Sequence, residues 1–461
     1  MRLVEILLLV SCLLLLGWPL LRRTHPRWLN WLSIVVILLL IDHFILEGYR
    51  WQMVPAYILA VGLAVWTLTR RKLPVVAGIG GMIWLSFATA LPVLLPVPRP
   101  LAPTGPYAVG TAVYYLTDTN RNEIYTDDPN DKRELMVQVW YPAQPPEPGI
   151  KPALYLEDIE VAGPAIAQRL NMPAFLLDHL NLAYSQSFTD AEIANEDTAY
   201  PVIIFSHGLN GFRNQNTTMI QELASYGYVV AAIDHTYANI FTVFPDGRVT
   251  FYEPRIFSDD PAEPPRNSHT LVGVWAQDIA FVLDQMAFWQ EEAGNRFNGR
   301  LDLNHVGVFG HSTGGGAMAE FCLTDPRCQA GLGLDAWVEP VSNAVLNGMP
   351  VPLMLIQADH WQSESDDNNS PRARAIYEAG LADSYLLIVA GAAHYDFTDL
   401  PLFSPLTPQL GLSSDIPSKQ MATMLNEYAL AFFNQYLKGE KSDVLTGSTV
   451  DYPEITFNYH P

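Results

Sequence analysis

Apolar residues follow two regimes along this chain. Up to about residue 100 they form near-continuous runs, Leu3–Leu21, Leu32–Leu46, Val54–Leu68 and Val75–Leu95. Beyond that point they come in short blocks separated by polar segments. A helix needs about 20 apolar residues to cross a bilayer, with about 17–25 tolerated. The first and fourth runs are long enough alone; the second and third reach that length with flanks such as Asn30, Trp31 and Gly48. Such density predicts a transmembrane region over 1–98 with about four helices, rather than buried core helices. The first run could pass for a signal peptide, but further spans follow and no small-residue cleavage site precedes Arg22.

The loops between the runs set an orientation. Arg22, Arg23 and Arg27 separate the first two runs, and Arg70, Arg71 and Lys72 the last two. With four spans these loops share one side, which the positive-inside rule makes cytoplasmic. The loop Glu47–Gln52 and everything after Pro96 then fall on the extracytoplasmic side; three spans would reverse this. Trp28, Trp31, Tyr49 and Trp51 sit where an aromatic belt is expected. Pro96–Pro106 reads as a stiff linker, within a linker and lead-in over 99–130.

Past residue 131 the pattern changes to that of a soluble globular domain, 131–461. Glu134–Tyr141 has the β-branched and aromatic content of a strand. Pro201–Ser206, Tyr228–Ile233, Val306–Phe309, Ala330–Leu334, Pro352–Ile356 and Tyr385–Val389 are short continuous apolar runs, as in strands buried on both faces. Helical spacing appears over Thr217–Tyr226, Val272–Trp289, from Ser312 to about Cys322, and over Ser418–Leu437. Alternating strands and helices predict a mainly parallel, doubly wound sheet. The stretch 153–197 fits this alternation poorly and reads either as an insertion over the active site or as ordinary helical packing.

Composition narrows the function classes. The formal charge is −22, and it comes from the part after the apolar runs. Phosphate backbones need Lys and Arg, so nucleic acid is not an expected partner. Three cysteines are present. Cys12 lies in an apolar run, while Cys322 and Cys328 could pair in an oxidising compartment. No Cys/His set stands at zinc spacing and no HExxH-type motif occurs, so neither metal nor cofactor is expected.

The candidate chemistry centres on Gly310-His311-Ser312-Thr313-Gly314. Gly-x-Ser-x-Gly between a buried strand and a helix is the nucleophile elbow, a tight turn that exposes the serine hydroxyl at the sheet end. The strand Val306–Phe309 and the small-residue start Gly314-Gly315-Gly316-Ala317 supply that setting, so Ser312 is the expected nucleophile. The chain order Ser, acid, His leaves His360, His394 and His460 as bases. His394 follows the Tyr385–Val389 strand and is the expected one; His460 stands in what reads as a disordered tail. Asp335 and Asp359 both follow strands, and general position in the fold favours Asp359. Thr313 and Leu209, the latter in the His207-Gly208-Leu209 loop after Pro201–Ser206, are the expected backbone oxyanion donors. His207 is expected to brace that loop rather than act as a base.

Taken together, these residues resemble the platelet-activating factor acetylhydrolase family, among the dienelactone-hydrolase-like α/β hydrolases. The resemblance runs from about Arg133 to Phe403. It rests on Phe205-Ser206-His207-Gly208-Leu209, the run Leu223–Ala232, the Ser312 pentapeptide, Leu334-Asp335-Ala336-Trp337, and the block His394-x-x-Phe397-x-Asp399. It implies Asp335 as the triad acid, with Asp359 the alternative, and Leu209 and Thr313 as oxyanion donors. It also implies calcium-independent hydrolysis of short or oxidised acyl esters of phospholipids. Thr313 departs from the family, which has an aromatic residue there, and the apolar N-terminal region has no counterpart in its secreted members.

The expected function is therefore a membrane-anchored serine ester hydrolase taking a lipid or small ester substrate. A polyester or cutinase-like hydrolase, a dienelactone-type hydrolase or an amidase would use the same triad. A non-catalytic membrane receptor on a hydrolase fold is the reading from another class; the complete set of Ser312, Asp335 and His394 argues against it.

Overall fold

The computed structural model describes residues 1–22, 24–69, 72–169, 171–195, 199–257, 267–359, 368–447 and 452–461. Arg23, Arg70, Arg71 and His360 fall outside the described residues. The chain divides into two compact units. One comprises Met1–Pro98, Ile159–Ala183 and Phe403–Leu406; the other comprises Arg99–Asp158, Tyr184–Leu402 and Thr407–Pro461.

The first unit contains four long helices: α1 (Leu3–Arg22), α2 (Trp28–Asp42), α3 (Val54–Thr69) and α4 (Val75–Leu94). A π-helical turn, His43–Glu47, prolongs α2, and a 3-10 turn, Trp51–Met53, leads into α3. With these extensions all four are long and apolar enough to cross a membrane. Leu8, Cys12 and Leu15 of α1 pack with Ala56 and Ala60 of α3 and Ala88 of α4 in the bundle core. The outward residues are apolar too, among them Leu13, Leu38, Ile58 and Ile83. Helices apolar all round are what a lipid solvent requires. The same unit includes α5 (Ile159–Arg169) and a 3-10 segment, Ala174–Leu182. Trp51 Nε1–H donates to the Leu176 carbonyl at 3.4 Å, and its ring meets Phe175 edge-on.

The second unit has the α/β-hydrolase architecture. Its strands are β1 (Ala108–Asn122), β2 (Lys132–Ala143), β3 (Ser187–Thr189), β4 (Tyr200–Ser206), β5 (Val229–Asp234), β6 (Phe241–Val243), β7 (Val249–Phe251), β8 (Leu301–His311), β9 (Cys328–Leu334), β10 (Leu353–Ala358), β11 (Ser384–Val389) and β12 (Ile455–His460). Its helices are α6 (Thr217–Ser225), α7 (Ser268–Glu291), α8 (Thr313–Thr324), α9 (Asn369–Glu378) and α10 (Ser418–Lys438). Ten strands form one sheet in the order β12-β11-β10-β9-β8-β4-β5-β2-β1-β3, and β6 and β7 make a separate hairpin. Strands β5, β4, β8, β9, β10 and β11 run parallel to one another in the centre.

Side-chain alternation divides the core between the two faces of the sheet. Val202 and Ile204 of β4 join Trp275, Ile279 and Met286 of α7 on one face. Ile203 and Phe205 join Ile220 and Leu223 of α6 and Met424, Tyr428 and Phe432 of α10 on the other. Both faces are covered, which is why the central strands read as unbroken apolar runs. Helix α7 is also long and apolar enough to cross a membrane, but its apolar side is buried against this sheet.

The edges of the sheet were less legible. Strand β1 pairs antiparallel with β2 from Ala108 to Asn122, within the stretch expected to be linker and lead-in. His460, expected in a disordered tail, instead pairs with Ser384 at the far edge, in strand β12. The expectation fails because alternating Ile455, Phe457 and Tyr459 give that segment a strand pattern of its own.

Candidate active site

Strand β8 delivers Ser312 to a strained turn. Its φ and ψ are 54° and −120°, and α8 begins at the next residue. Non-glycine residues avoid this region, at a cost of about 1–3 kcal/mol. The surroundings impose it. Ser312 N–H donates to the Leu334 carbonyl at 3.0 Å, and Ser312 C=O accepts from Gly315 N–H at 2.9 Å and Trp337 N–H at 2.9 Å. The flanking glycines allow the turn to close: a Cβ on Gly310 would lie 2.2 Å from the Gly314 carbonyl oxygen, and one on Gly314 would lie 2.0 Å from that of Ser206.

Asp335, just past β9, is fully buried and also has positive φ, at 43°. Its N–H donates to the Ile356 carbonyl at 2.7 Å, and Oδ1 accepts from Ala358 N–H at 2.9 Å. The remaining oxygen, Oδ2, lies 2.5 Å from Nδ1 of His394, which opens the 3-10 turn after β11. Asp359 faces elsewhere, its Oδ1 accepting from Gly391 N–H at 3.0 Å. Ser312 and Asp335 are tied by the backbone around Leu334 and Trp337, and Asp335 in turn holds His394.

His311, the variable residue of the pentapeptide, completes the contact from the other side. Its ring lies 4.6 Å from that of His394, centroid to centroid. Gln215 Nε2 donates to His311 Nδ1 at 2.8 Å, so the ring proton sits on Nε2 and is donated to the His394 carbonyl at 3.0 Å. Burial, helped by the neighbouring His394, pushes the His311 pKa down to about 3, so this ring stays neutral. Sequence reasoning assigned no role to His311 or Gln215. His311 stood inside the motif; Gln215 carries no sequence signal, because 96 residues separate the two.

The loop after β4 lies against the same turn. A Cβ on Gly208 would come within 2.8 Å of His311 Nδ1 and 3.2 Å of Ser312 Cβ. Gly211 N–H donates to the Gly208 carbonyl at 2.7 Å and closes a tight turn around Leu209 and Asn210. Thr313, the first residue of α8, belongs to the helical turn whose N–H groups lack intrahelical acceptors. His207 is wholly buried, and burial pushes its pKa down to about 3. Its Nδ1 donates to the Gly208 carbonyl at 2.7 Å, which makes it a brace of the loop.

Cys322, in the last part of α8, is joined by a disulfide to Cys328 at the start of β9. Among the described residues, one group could supply three metal-ligand atoms within 4.8 Å of one another: Glu5, His43 and Glu47, in the helical unit. Both Glu5 oxygens already take bonds from the buried Arg50 guanidinium, and Glu47 lies 3.8 Å from Arg2. This charge balance does not fit a cation.

The sequence model of the family described as platelet-activating factor acetylhydrolase, isoform II, matches residues 99–247 and 284–450. A platelet-activating factor acetylhydrolase of Cavia porcellus is 25% identical over 358 residues, covering 73% of this chain and 78% of the relative. A probable 1-alkyl-2-acetylglycerophosphocholine esterase of Arthroderma benhamiae is 26% identical over 403 residues, covering 81% and 96%. Among solved structures, a ferulic acid esterase from Streptomyces cinnamoneus superposes with a TM-score of 0.64 at 26% identity, covering 78% of this chain and 99% of that one. The matched ranges take in Leu209, Ser312, Asp335 and His394, and the chain, a carboxylic ester hydrolase, belongs to the platelet-activating factor acetylhydrolase, isoform II, family.

Proposed function

We propose that this protein is a membrane-anchored serine esterase that cleaves short-acyl or oxidised phospholipid-type esters through an acyl-enzyme. The observation that carries the reading is the His394–Asp335 pair beside the strained Ser312 turn. Asp335 keeps the His394 proton on Nδ1, so Nε2 is the nitrogen that accepts the Ser312 proton. As that proton leaves, Ser312 Oγ bonds to the ester carbonyl carbon and the carbonyl oxygen becomes an oxyanion. The N–H groups of Leu209 and Thr313 stabilise it, and the positive end of α8 adds to the field. His394 then returns the proton to the departing alkoxide, the C–O bond breaks, and the acyl group stays on Ser312. Water repeats the sequence, giving the free acid and restoring the serine. No metal or cofactor takes part in these steps.

The substrate class is supported by the relatives, which are named for platelet-activating factor and for 1-alkyl-2-acetylglycerophosphocholine. The anchor is supported by the four apolar helices. Placement of the hydrolase unit on the extracytoplasmic side is supported by the basic residues between the first and second helices and between the third and fourth, and by the Cys322–Cys328 disulfide, since such bonds persist in oxidising compartments. A test uses the full chain in detergent or vesicles, with glycerophospholipids of increasing sn-2 acyl length and simple aryl esters. Preference for short or oxidised sn-2 chains, lost in Ser312→Ala, is the expected result. Equal hydrolysis by Ser312→Ala would remove the serine mechanism.

A further inference from the structure

A second serine, histidine and aspartate are wired together in the core of the hydrolase unit. Ser206 Oγ lies 2.8 Å from His235 Nε2, and His235 Nδ1 lies 2.8 Å from Asp278 Oδ2. Arg133 binds both Asp278 oxygens, at 3.1 and 2.6 Å, and Arg121 reaches Oδ1 at 2.8 Å. Burial opposes charge on Asp278, but Arg133, His235 and Arg121 together hold its carboxyl well below the usual range. A charged carboxylate only accepts, so the His235 proton sits on Nδ1 and the Ser206 hydroxyl donates to Nε2.

This set cannot be reached by substrate. Ser206, His235 and Asp278 are fully or almost fully buried. Ser206 ends a strand paired on both sides, with Ile233 and Gly310, and Trp275 covers the His235 ring at 4.1 Å, nearly parallel to it. Its outlet is instead the loop after β4. His235 backbone N–H donates to His207 Nε2 at 3.2 Å, and His207 Nδ1–H donates to the Gly208 carbonyl at 2.7 Å. Gly211 N–H holds the same oxygen from the other side. The Gly208 carbonyl and the Leu209 N–H belong to one planar trans peptide and point in opposite directions. Fixing the carbonyl therefore fixes the direction of the N–H.

We propose that Ser206, His235, Asp278 and His207 are positioning residues that set the Leu209 N–H, through the Gly208 carbonyl, before substrate arrives. This rests on the reading of Leu209 as an oxyanion donor. A donor already aimed at the developing charge needs no reorganisation during reaction, and loss of one such donor costs about 10²–10³ in kcat.

The test is made on the full chain with an aryl ester. His207→Leu removes the N–H to Gly208, whereas His207→Asn keeps a donor near the Nδ1 position. His207→Leu should lower kcat by about 10–100-fold with KM little changed, and His207→Asn should recover most of that loss. Equal losses in the two variants, or an unchanged kcat in His207→Leu, would overturn the proposal. If His207→Leu does not fold, Ser206→Ala is read the same way: a fall in kcat at constant KM supports positioning and an unchanged kcat refutes it. Fluorophosphonate labelling of Ser206 in Ser312→Ala would also refute it, by making the buried set a nucleophilic site. Retained hydrolysis in Ser312→Ala marks failure of the underlying serine reading instead, whatever the His207 variants do.

Discussion

His394 Nδ1 stands 2.5 Å from Asp335 Oδ2, while the nearby Asp359 accepts from Gly391 N–H. The two aspartates therefore predict opposite outcomes. Asp335→Asn should reduce kcat by about 10⁴, because the amide cannot hold the histidine tautomer. Asp359→Asn keeps an oxygen for Gly391 and should change kcat less than about threefold. Steady-state kinetics on one ester decides it, and a crippled Asp359→Asn enzyme would reverse the assignment.

The Ser312 turn predicts a trade between activity and stability. Ser312→Ala and Ser312→Gly should both be inactive. The glycine variant should be the more stable by about 1 kcal/mol, because φ of 54° with ψ of −120° favours a residue without Cβ. Thermal unfolding of the two side by side measures this, and equal stabilities would mean the turn is not strained.

Gly314 has no room for change. A methyl there would press on the backbone carbonyls of Ser206 and His207, at 2.0 and 2.4 Å. Neither can give way without moving the loop after β4. Gly314→Ala should lose both activity and about 2 kcal/mol or more of stability. Denaturant unfolding checks the second; a fully stable variant would show that the elbow tolerates a shift.

Asp399 predicts a pH effect. It is buried, and burial pushes its pKa up to about 7 against the donors Thr218 N–H and Tyr155 Oη–H. The folded state then keeps a proton that the unfolded chain releases near pH 4. This contribution to stability is full below about pH 4 and is lost as pH rises through about 7. Asp399→Asn should lack that loss, so its melting temperature should gain on the parent's between about pH 4 and 7. A constant difference across that window would exclude the effect.

The residues differ in how far the sequence betrays them. Ser312 was legible because the elbow needs its strand, glycines and helix in one contiguous stretch. The central strands were legible because burial on both faces leaves an unbroken apolar run. Asp335 and Asp359 looked alike, since each follows a strand; which one meets His394 depends on how β9, β10 and β11 lie side by side. The family resemblance selected Asp335, and the His394–Asp335 contact is consistent with it. Ser206, His235 and Asp278 were invisible for the same reason, being 29 and 43 residues apart. The irregularity of 153–197 was visible; that Ile159–Ala183 groups with the N-terminal helices was not, because that grouping is a matter of long-range packing.

That grouping has a practical consequence for anyone dissecting the protein. The hydrolase unit is interrupted in sequence at 159–183 and at 403–406, and the chain leaves and re-enters it at the longer interruption beside a bridge between Leu154 and Tyr184. Cutting the gene before residue 99 would remove most of the unit to which Ile159, Ala162 and Leu180, all buried in the full chain, belong. Water would then meet that apolar surface, and aggregation is the ordinary result. A soluble version calls for two edits: removal of the helices, and replacement of 159–183 by a short polar bridge between ends the fold already keeps together.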